Sequence, residues 1–242
     1  MMREMSTRFG RSSGGFVWAF LEPAGFIMLL SLIFVFMSRS PPLGSSFPLF
    51  YASGFLPFYI FKTVSAVTSH AVRYNHALLT YPNVTPTDTI LARFMLQTLT
   101  NCLVTIGILG GLLAVVDYAP VISAGILVQA VALASLLGLG IGTLNAVLFH
   151  IWPVWERCYG ILTHPLLIIS GIFYLPDMLP PNIRDALYWN PVVHPVSLMR
   201  TGVYAHYEGV HVDIGYVAWL GVSTFLAGMC LLHLFRARLT EQ

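Results

Sequence analysis

Charged side chains are scarce in this 242-residue chain, in which Asp, Glu, Lys and Arg together make up 9% of the residues. A typical soluble domain contains roughly 25%. Hydrophobic residues account for 57%, so a soluble fold would lack the charged side chains that normally solvate its surface. Composition therefore argues against a soluble protein and predicts an outer surface in contact with membrane lipid. The net charge of only +2 also argues against nucleic acid as a partner.

Cysteine and the short motifs of common enzymes are also scarce or missing. Cys102, Cys158 and Cys230 lie in separate apolar runs without C-x-x-C spacing, which argues against disulfides and a zinc site. His206 and His211 have no cysteine or carboxylate at a ligand spacing, so no metal is predicted. The sequence has no G-x-x-x-x-G-K-[ST], G-x-S-x-G or H-E-x-x-H motif. We therefore expect no enzyme activity and no cofactor bound by this chain; any ATP would be hydrolysed by another polypeptide.

Six long apolar runs are present, each near the roughly 20 residues that cross a bilayer as a helix. They cover residues 16 or 23 to 37, 47–67, 94–116, 121–149, 159–175 and 214–235. This pattern predicts an all-α integral membrane protein with six transmembrane helices. No repeat or linker divides the chain, so residues 1–242 are predicted to form one domain. Residues 1–22 mix arginine with aromatic side chains, which is typical of a helix lying in the membrane interface.

Basic residues are unevenly distributed between alternate loops. Eight of the 12 lie in the N-terminal segment, the loops after the second and fourth spans, and the C-terminal tail: Arg3, Arg8, Arg11, Arg73, Arg93, Arg157, Arg236 and Arg238. The opposite loops contain three: Arg39, Arg184 and Arg200. Because cytoplasmic loops carry the excess of basic residues, both termini are predicted to be cytoplasmic.

Two charged residues interrupt the predicted spans, and such residues are functional candidates by default because their insertion is costly. Glu22 has two interpretations: an interface cap, with Pro23 in the first helical turn, or a buried carboxylate paired with a basic group. Lys62 lies late in the second span, where its amine can reach the headgroups.

Small and uncharged polar residues suggest how the spans pack. Gly138, Gly140 and Gly142 form a face suited to close helix packing. Five polar residues of the third span either line an aqueous path or bond across helices: Gln97, Thr98, Thr100, Asn101 and Thr105.

The stretch after the fifth span is too apolar for a plain loop and too interrupted for a spanning helix. Four prolines divide it: Pro180, Pro181, Pro191 and Pro195. Short re-entrant helices over 176–199, buried against protein, satisfy both features. Trp189 would lie at headgroup level or shape the outer mouth of a path.

Two segments resemble a known family. Residues 73–93, RYNHALLTYPNVTPTDTILAR, are similar to the loop after the second span in membrane subunits of type-2 ABC exporters for capsular and related polysaccharides, the KpsM-like branch. The exterior segment matches the same family through Ser170 to Tyr174, Leu179-Pro180, Asn190-Pro191, His194-Pro195 and Arg200.

The resemblance implies a homodimeric permease in the bacterial inner membrane that binds two copies of a separate ATP-binding subunit. ATP and magnesium would be bound by that subunit, and periplasmic and outer-membrane export partners are expected. A capsular or lipid-linked polysaccharide would pass outward between the protomers. The family's coupling helix would lie within 73–93 and its re-entrant helices within 176–199.

A motor subunit needs a structured contact through which to move the membrane helices, and 73–93 is the longest predicted cytoplasmic connection. Its candidate contact residues are Arg73, Tyr74, Leu78, Leu79, Tyr81, Pro82, Asp88 and Arg93. The two arginines are expected to pair with acidic residues of the motor or with lipid phosphates.

Two other functions are compatible with part of this sequence pattern. A type-2 ABC permease for a drug or a small lipid would have the same architecture. A membrane enzyme acting on lipid-linked precursors would need titratable groups at one membrane depth, whereas Glu22, Lys62, Asp117 and Arg157 are predicted to lie at different depths.

Overall fold

The computed structural model describes residues 15–37, 40–74, 85–116 and 122–235. Within these ranges the chain is helical and has no strand. The α-helices are α1 (Gly15–Met37), α2 (Phe47–Ser69), α3 (Ala71–Tyr74), α4 (Pro86–Val115), α5 (Ala124–Ile151), α6 (Pro153–Ile169), α7 (Pro181–Tyr188), α8 (Val193–Val203) and α9 (Ile214–Leu234). A short 3₁₀ helix, Pro176–Met178, lies between α6 and α7.

Helix α5 is the centre of the bundle, packed between α2 and α9. A Cβ added to Gly138 would lie 2.9 Å from the carbonyl oxygen of Phe61 in α2. Gly142, one turn later, meets the next turn of α2, and Gly140 faces the opposite way and meets Gly221 of α9. The predicted packing role of the three glycines is therefore confirmed, because the backbones approach too closely for larger side chains. The prediction of a single glycine face is wrong, since the three glycines lie on two sides of α5.

Helix α1 packs against α2 through aromatic pairs. The Phe26 and Phe55 ring centroids lie 4.3 Å apart, and the Phe34 and Tyr51 centroids lie 5.1 Å apart. Pro23 lies inside α1, so the expectation that it occupies a first helical turn is wrong. Residues 15–22 continue into the span as one helix, while the rest of the predicted interface helix lies outside the described residues.

Four described helices are long and apolar enough to cross a membrane: Val17–Met37, Pro86–Val115, Ala124–Ile151 and Ile214–Leu234. The third predicted span begins eight residues earlier than expected, because Pro86 occupies the first turn of α4 and Thr85 caps it. Helix α2 has 23 residues but contains Lys62 and several hydroxyl side chains, and α6 has only 17 residues. The count of six spans stays a prediction.

Residues of α3, α4, α5 and α9 form a second, smaller hydrophobic core at one end of the bundle. Its fully buried members include Ala71 of α3, Ile90 of α4 and Val147 of α5, and Leu232 of α9 completes it. We call this the Arg73 end of the bundle. The opposite end, where the 3₁₀ helix, α7 and α8 lie, is called the Asp177 end.

Candidate functional site

The Arg73 end contains an ion pair between α3 and α6. Arg73 donates from Nη1 to Glu156 Oε2 at 3.0 Å and from Nη2 to Glu156 Oε1 at 3.1 Å. Two parallel hydrogen bonds of this kind fix the relative orientation of both groups. From the sequence, Arg73 is expected to pair with another subunit or with lipid. In the structure its partner is Glu156, 83 residues away in the same chain.

His70 is the third member of this cluster. Its Nδ1 lies 3.3 Å from Arg73 Nη2, and its Nε2 lies 3.8 Å from Glu156 Oε1. Burial lowers the pKa of His70, against the opposing influence of Glu156. The hydrogen bonds from Arg73 hold the pKa of the Glu156 carboxyl below its usual value. At neutral pH the cluster therefore consists of one guanidinium, one carboxylate and a neutral imidazole.

A cavity of about 190 Å³ opens beside this cluster. It is lined by Ser69, His70, Val72, Arg73, Ala146, Phe149, His150 and Pro153. The lining comes from α3, from the chain at the end of α2, and from the junction of α5 and α6. This end of the bundle therefore presents an indentation where three helix ends meet.

Helix α3 is anchored to the bundle from its inner side. Ala71 and Val72 are buried in the second core, whereas Arg73 and Tyr74 are exposed. The Arg93 guanidinium carbon lies 5.4 Å from the centroid of the Tyr74 ring, which is within cation–π range. The two ends of the predicted coupling segment are thus in contact.

The remaining coupling candidates divide into two groups. Asp88 accepts a hydrogen bond from the Thr85 backbone N–H at 2.9 Å, and Thr85 Oγ1 accepts one from the Asp88 N–H at 3.3 Å. This capping box starts α4. The other four candidates lie outside the described residues: Leu78, Leu79, Tyr81 and Pro82.

Glu22 of α1 is linked to α2 through Tyr59, one turn before Lys62. The Tyr59 hydroxyl donates to Glu22 Oε2 at 3.3 Å, and Tyr59 precedes Lys62 by three residues, about 4.5 Å along α2. No basic side chain of the described residues forms an ion pair with Glu22, and its position at the membrane interface stays a prediction. Lys62 is exposed, although the eleven residues before it are all buried.

Polar side chains of α4 bond across to α2. Asn101 Nδ2 donates to Thr63 Oγ1 at 3.0 Å, and Gln97 Nε2 donates to Asn101 Oδ1 at 2.9 Å. Of the two roles that the sequence left open, interhelical bonding is therefore observed for Asn101, while Gln97 supports Asn101 from the preceding turn of α4.

At the Asp177 end, the predicted short helices are present. Pro180 precedes α7 and Pro181 is its first residue. Helix α7 buries no side chain, whereas α8 is buried along almost its whole length. The depth of these helices in a membrane stays a prediction.

Asn190 and Trp189 lie in the turn between α7 and α8, just before Pro191. Asn190 Nδ2 donates to Ser170 Oγ at 3.2 Å, which ties this turn to the end of α6. The Trp189 carbonyl accepts a hydrogen bond from the Tyr216 hydroxyl at 2.9 Å, while its indole is 79% exposed. The backbone of Trp189 is therefore fixed and its side chain is free to contact a ligand or lipid.

Arg200 of α8 is completely buried, with an exposed fraction of 0%. It donates from Nη1 to the Tyr174 carbonyl at 3.0 Å and from Nη2 to the Ile172 carbonyl at 2.9 Å. Its guanidinium carbon lies 4.5 Å from the centroid of the Phe50 ring. A Cβ on Gly54 would lie 2.9 Å from Arg200 Nη2. The glycine in α2 therefore leaves room for the guanidinium of Arg200.

Sequence reasoning missed the cluster around Asp177. Its carboxylate accepts hydrogen bonds from Tyr188 at 2.9 Å and from Tyr207, and His211 Nδ1 lies 3.0 Å away. Burial raises the pKa of Tyr207 to about 12, so this phenol acts as a donor at neutral pH. The four residues come from three segments, since Tyr207 and His211 share the connection between α8 and α9, and no spacing in the sequence brings these segments together.

His194 ties α8 to the start of α9. Its Nδ1 accepts from the Asp213 N–H at 3.0 Å, and its Nε2 lies 2.9 Å from the Tyr188 carbonyl. This geometry requires a neutral ring protonated at Nε2, and burial lowers the pKa of His194 accordingly.

Comparison with known protein families identifies the family of this chain. Residues 1–204 match the ABC-2 type transporter family, a range that runs from the N-terminus to the residue after α8. The chain belongs to this family. Its members are membrane components of transporters, so the chain is a transporter subunit and not an enzyme.

Individual relatives match nearly the full length of the chain. A polysialic acid transport protein, KpsM, from Escherichia coli is 34% identical over 95% of this chain and 89% of its own length. The capsule polysaccharide export inner-membrane proteins CtrC, from Neisseria meningitidis serogroup B, and BexB, from Haemophilus influenzae, are 25% and 24% identical. Each match covers 97% of this chain and 89% of the relative. The chain is thus a KpsM-like ABC-2 permease.

Proposed function

We propose that this permease exports a capsular or lipid-linked polysaccharide across the bacterial inner membrane, driven by ATP hydrolysis on a separate subunit. The relatives named for capsule polysaccharide export support the cargo class and the membrane. Two copies of the chain form the path between them, with six spans each and both termini in the cytoplasm. Periplasmic and outer-membrane partners continue the route outward.

The observation that carries the coupling part of this proposal is the anchoring of α3. Ala71 and Val72 are buried in a core shared with Ile90 of α4, Val147 of α5 and Leu232 of α9. A force applied to the neighbouring residues 75–84 is therefore delivered to several helices at once, because a packed core moves as a unit. In this proposal the Arg73 end faces the cytoplasm and the ATP-binding subunit, which supplies ATP and magnesium.

An alternative cargo, a drug or small lipid, would use the same architecture. The names of the relatives favour polysaccharide. A membrane enzyme is not supported, since the family is one of transporters.

We expect Leu78→Asp to uncouple ATP hydrolysis from export or to release the ATP-binding subunit. The substitution places a charge in a contact that the proposal requires to be apolar. The measurement is the amount of ATP-binding subunit that copurifies with the permease, together with cell-surface polysaccharide. Normal copurification and normal export would remove residues 73–93 from the coupling role.

We expect Trp189→Ala to reduce export several-fold while leaving permease abundance and thermal stability nearly unchanged. The indole is exposed and its loss leaves the Tyr216 hydrogen bond to the backbone intact. Sugars stack on aromatic faces of this kind, and an interfacial anchor is the competing role. Surface polysaccharide is measured at matched permease levels, with Trp219→Ala, another exposed tryptophan, as the control. Equal export by both variants would exclude a special role for Trp189.

A further inference from the structure

We propose that the Arg73–Glu156 ion pair is the joint through which movement of the coupling segment reaches α6, and that Glu156 is a positioning residue for transport. This inference rests on the proposed function, because it requires a motor subunit at the Arg73 end. It adds a residue from outside the coupling segment, in a different helix. It also names which helix receives the movement.

The geometry of the pair suits transmission of movement. Two parallel hydrogen bonds, 3.0 and 3.1 Å long, join the two terminal nitrogens of the Arg73 guanidinium to the two carboxylate oxygens of Glu156. A single contact would allow either group to pivot, whereas a bidentate pair resists rotation as well as separation. Displacement of α3 is therefore passed to the first turn of α6 with its direction preserved.

Helix α6 is loosely held by the rest of the protomer. It buries no side chain. Among the described residues, its side chains are linked to α5 and α2 by the hydrogen bond from Trp155 Nε1 to Asn145 Oδ1 at 3.0 Å and by the contact of 2.9 Å between the Tyr159 and Ser65 hydroxyls. Helix α3, by contrast, is fixed through buried Ala71 and Val72. An input at α3 therefore reaches α6 through the ion pair, in addition to the helices that share the second core with Ala71 and Val72.

The pair is poorly suited to a purely stabilising role. The Arg73 and Glu156 side chains are 57% and 31% exposed, so water screens the pair, and even with bidentate geometry its contribution to stability is small compared with that of the buried core. Removing the pair should therefore leave a folded permease. A transmission role predicts a different defect, in which ATP is hydrolysed with less export for each ATP.

The test uses the complete permease–ATPase complex and three variants: Arg73→Glu, Glu156→Arg, and the double exchange. ATP hydrolysis and polysaccharide export are measured on the same preparations, and export per ATP is compared. We expect each single variant to lower this ratio about tenfold and the double exchange to recover most of it, because interacting pairs are non-additive. Arg157→Glu is the control, since it changes the charge by the same amount as Arg73→Glu one residue from Glu156.

Each outcome decides between alternatives. Single variants that keep the wild-type ratio overturn the inference. So does a double exchange that is as defective as the single variants, because it shows that one of the two groups acts on another partner. A loss in Arg157→Glu equal to that in Arg73→Glu also overturns it, since any change of local charge then suffices.

A milder variant covers the case in which charge reversal prevents accumulation of the protein. Glu156→Gln keeps a hydrogen-bonding side chain and removes the charge, and we expect it to lower export per ATP about threefold. An unchanged ratio overturns the inference. Absence of ATP-dependent export by the wild-type complex would overturn the proposed function itself, which distinguishes the two failures.

Discussion

Arg200→Met is expected to lower the stability of the permease by about 3 kcal/mol, because two charge-assisted hydrogen bonds disappear. The Ile172 and Tyr174 carbonyls lose the donors that Arg200 provides at 2.9 and 3.0 Å. A methionine of similar length fills part of the space but cannot satisfy either oxygen. The turn between α6 and the 3₁₀ helix would lose its main attachment to α8, so export should fall together with stability.

Thermal unfolding of the purified permease in detergent measures this effect. Arg200→Lys should be intermediate, because an ammonium keeps the charge but cannot reach both carbonyls with a planar fork. Arg184→Met is the matched control, since Arg184 pairs only with its exposed neighbour Asp185 among the described residues. An Arg200→Met protein that unfolds at the wild-type temperature would contradict the anchoring role of Arg200.

Local sequence patterns were sufficient to predict the helical class and several packing features. The apolar runs marked helices near the observed α1, α5 and α9, because lipid exposure requires a long stretch without charges. Gly138, Gly140 and Gly142 marked a close approach, since only small residues allow it. The prolines around residue 180 marked the start of α7, where a missing N–H has no cost.

Boundaries were predicted less well where polar residues occur within a helix. Helix α4 begins at Pro86, although Asp88 and Arg93 suggested a loop, because the Thr85–Asp88 capping box stabilises the first turn. The sequence pattern predicts Pro23 at a helix start, whereas Pro23 lies inside α1. Hydropathy alone cannot distinguish a charged helical turn from a loop.

Contacts between distant residues could not be predicted from one sequence. Arg73 and Glu156 are 83 residues apart, and no spacing rule joins them. The same holds for Asp177 with Tyr207 and for Glu22 with Tyr59, which are 30 and 37 residues apart. These pairs are set by the packing of whole helices, so the ion pair that links two predicted cytoplasmic connections was found only in three dimensions.

Gly140→Ala is expected to destabilise the permease by about 1–3 kcal/mol, because it overpacks a close backbone contact between α5 and α9. The added methyl group would meet the backbone carbonyl of Gly221 in α9, and a backbone atom cannot move aside as a flexible side chain can. Relief requires α5 and α9 to separate, which loosens the packing on both sides of each helix. We expect lower permease abundance in membranes and a lower unfolding temperature in detergent.

The control for Gly140→Ala is Gly125→Ala, in the first turn of the same helix, where an added Cβ has no atom within 4 Å. The two substitutions have the same chemistry, and helix propensity favours alanine at both sites, by roughly 1 kcal/mol in a helix interior. Gly125→Ala should therefore be neutral or slightly stabilising. A Gly140→Ala permease as stable as Gly125→Ala would show that α5 and α9 do not pack backbone to backbone at Gly221. Helix α9 also contributes Leu232 to the second core. A partial loss of stability in Gly140→Ala should therefore be accompanied by weaker binding of the ATP-binding subunit, which copurification measures.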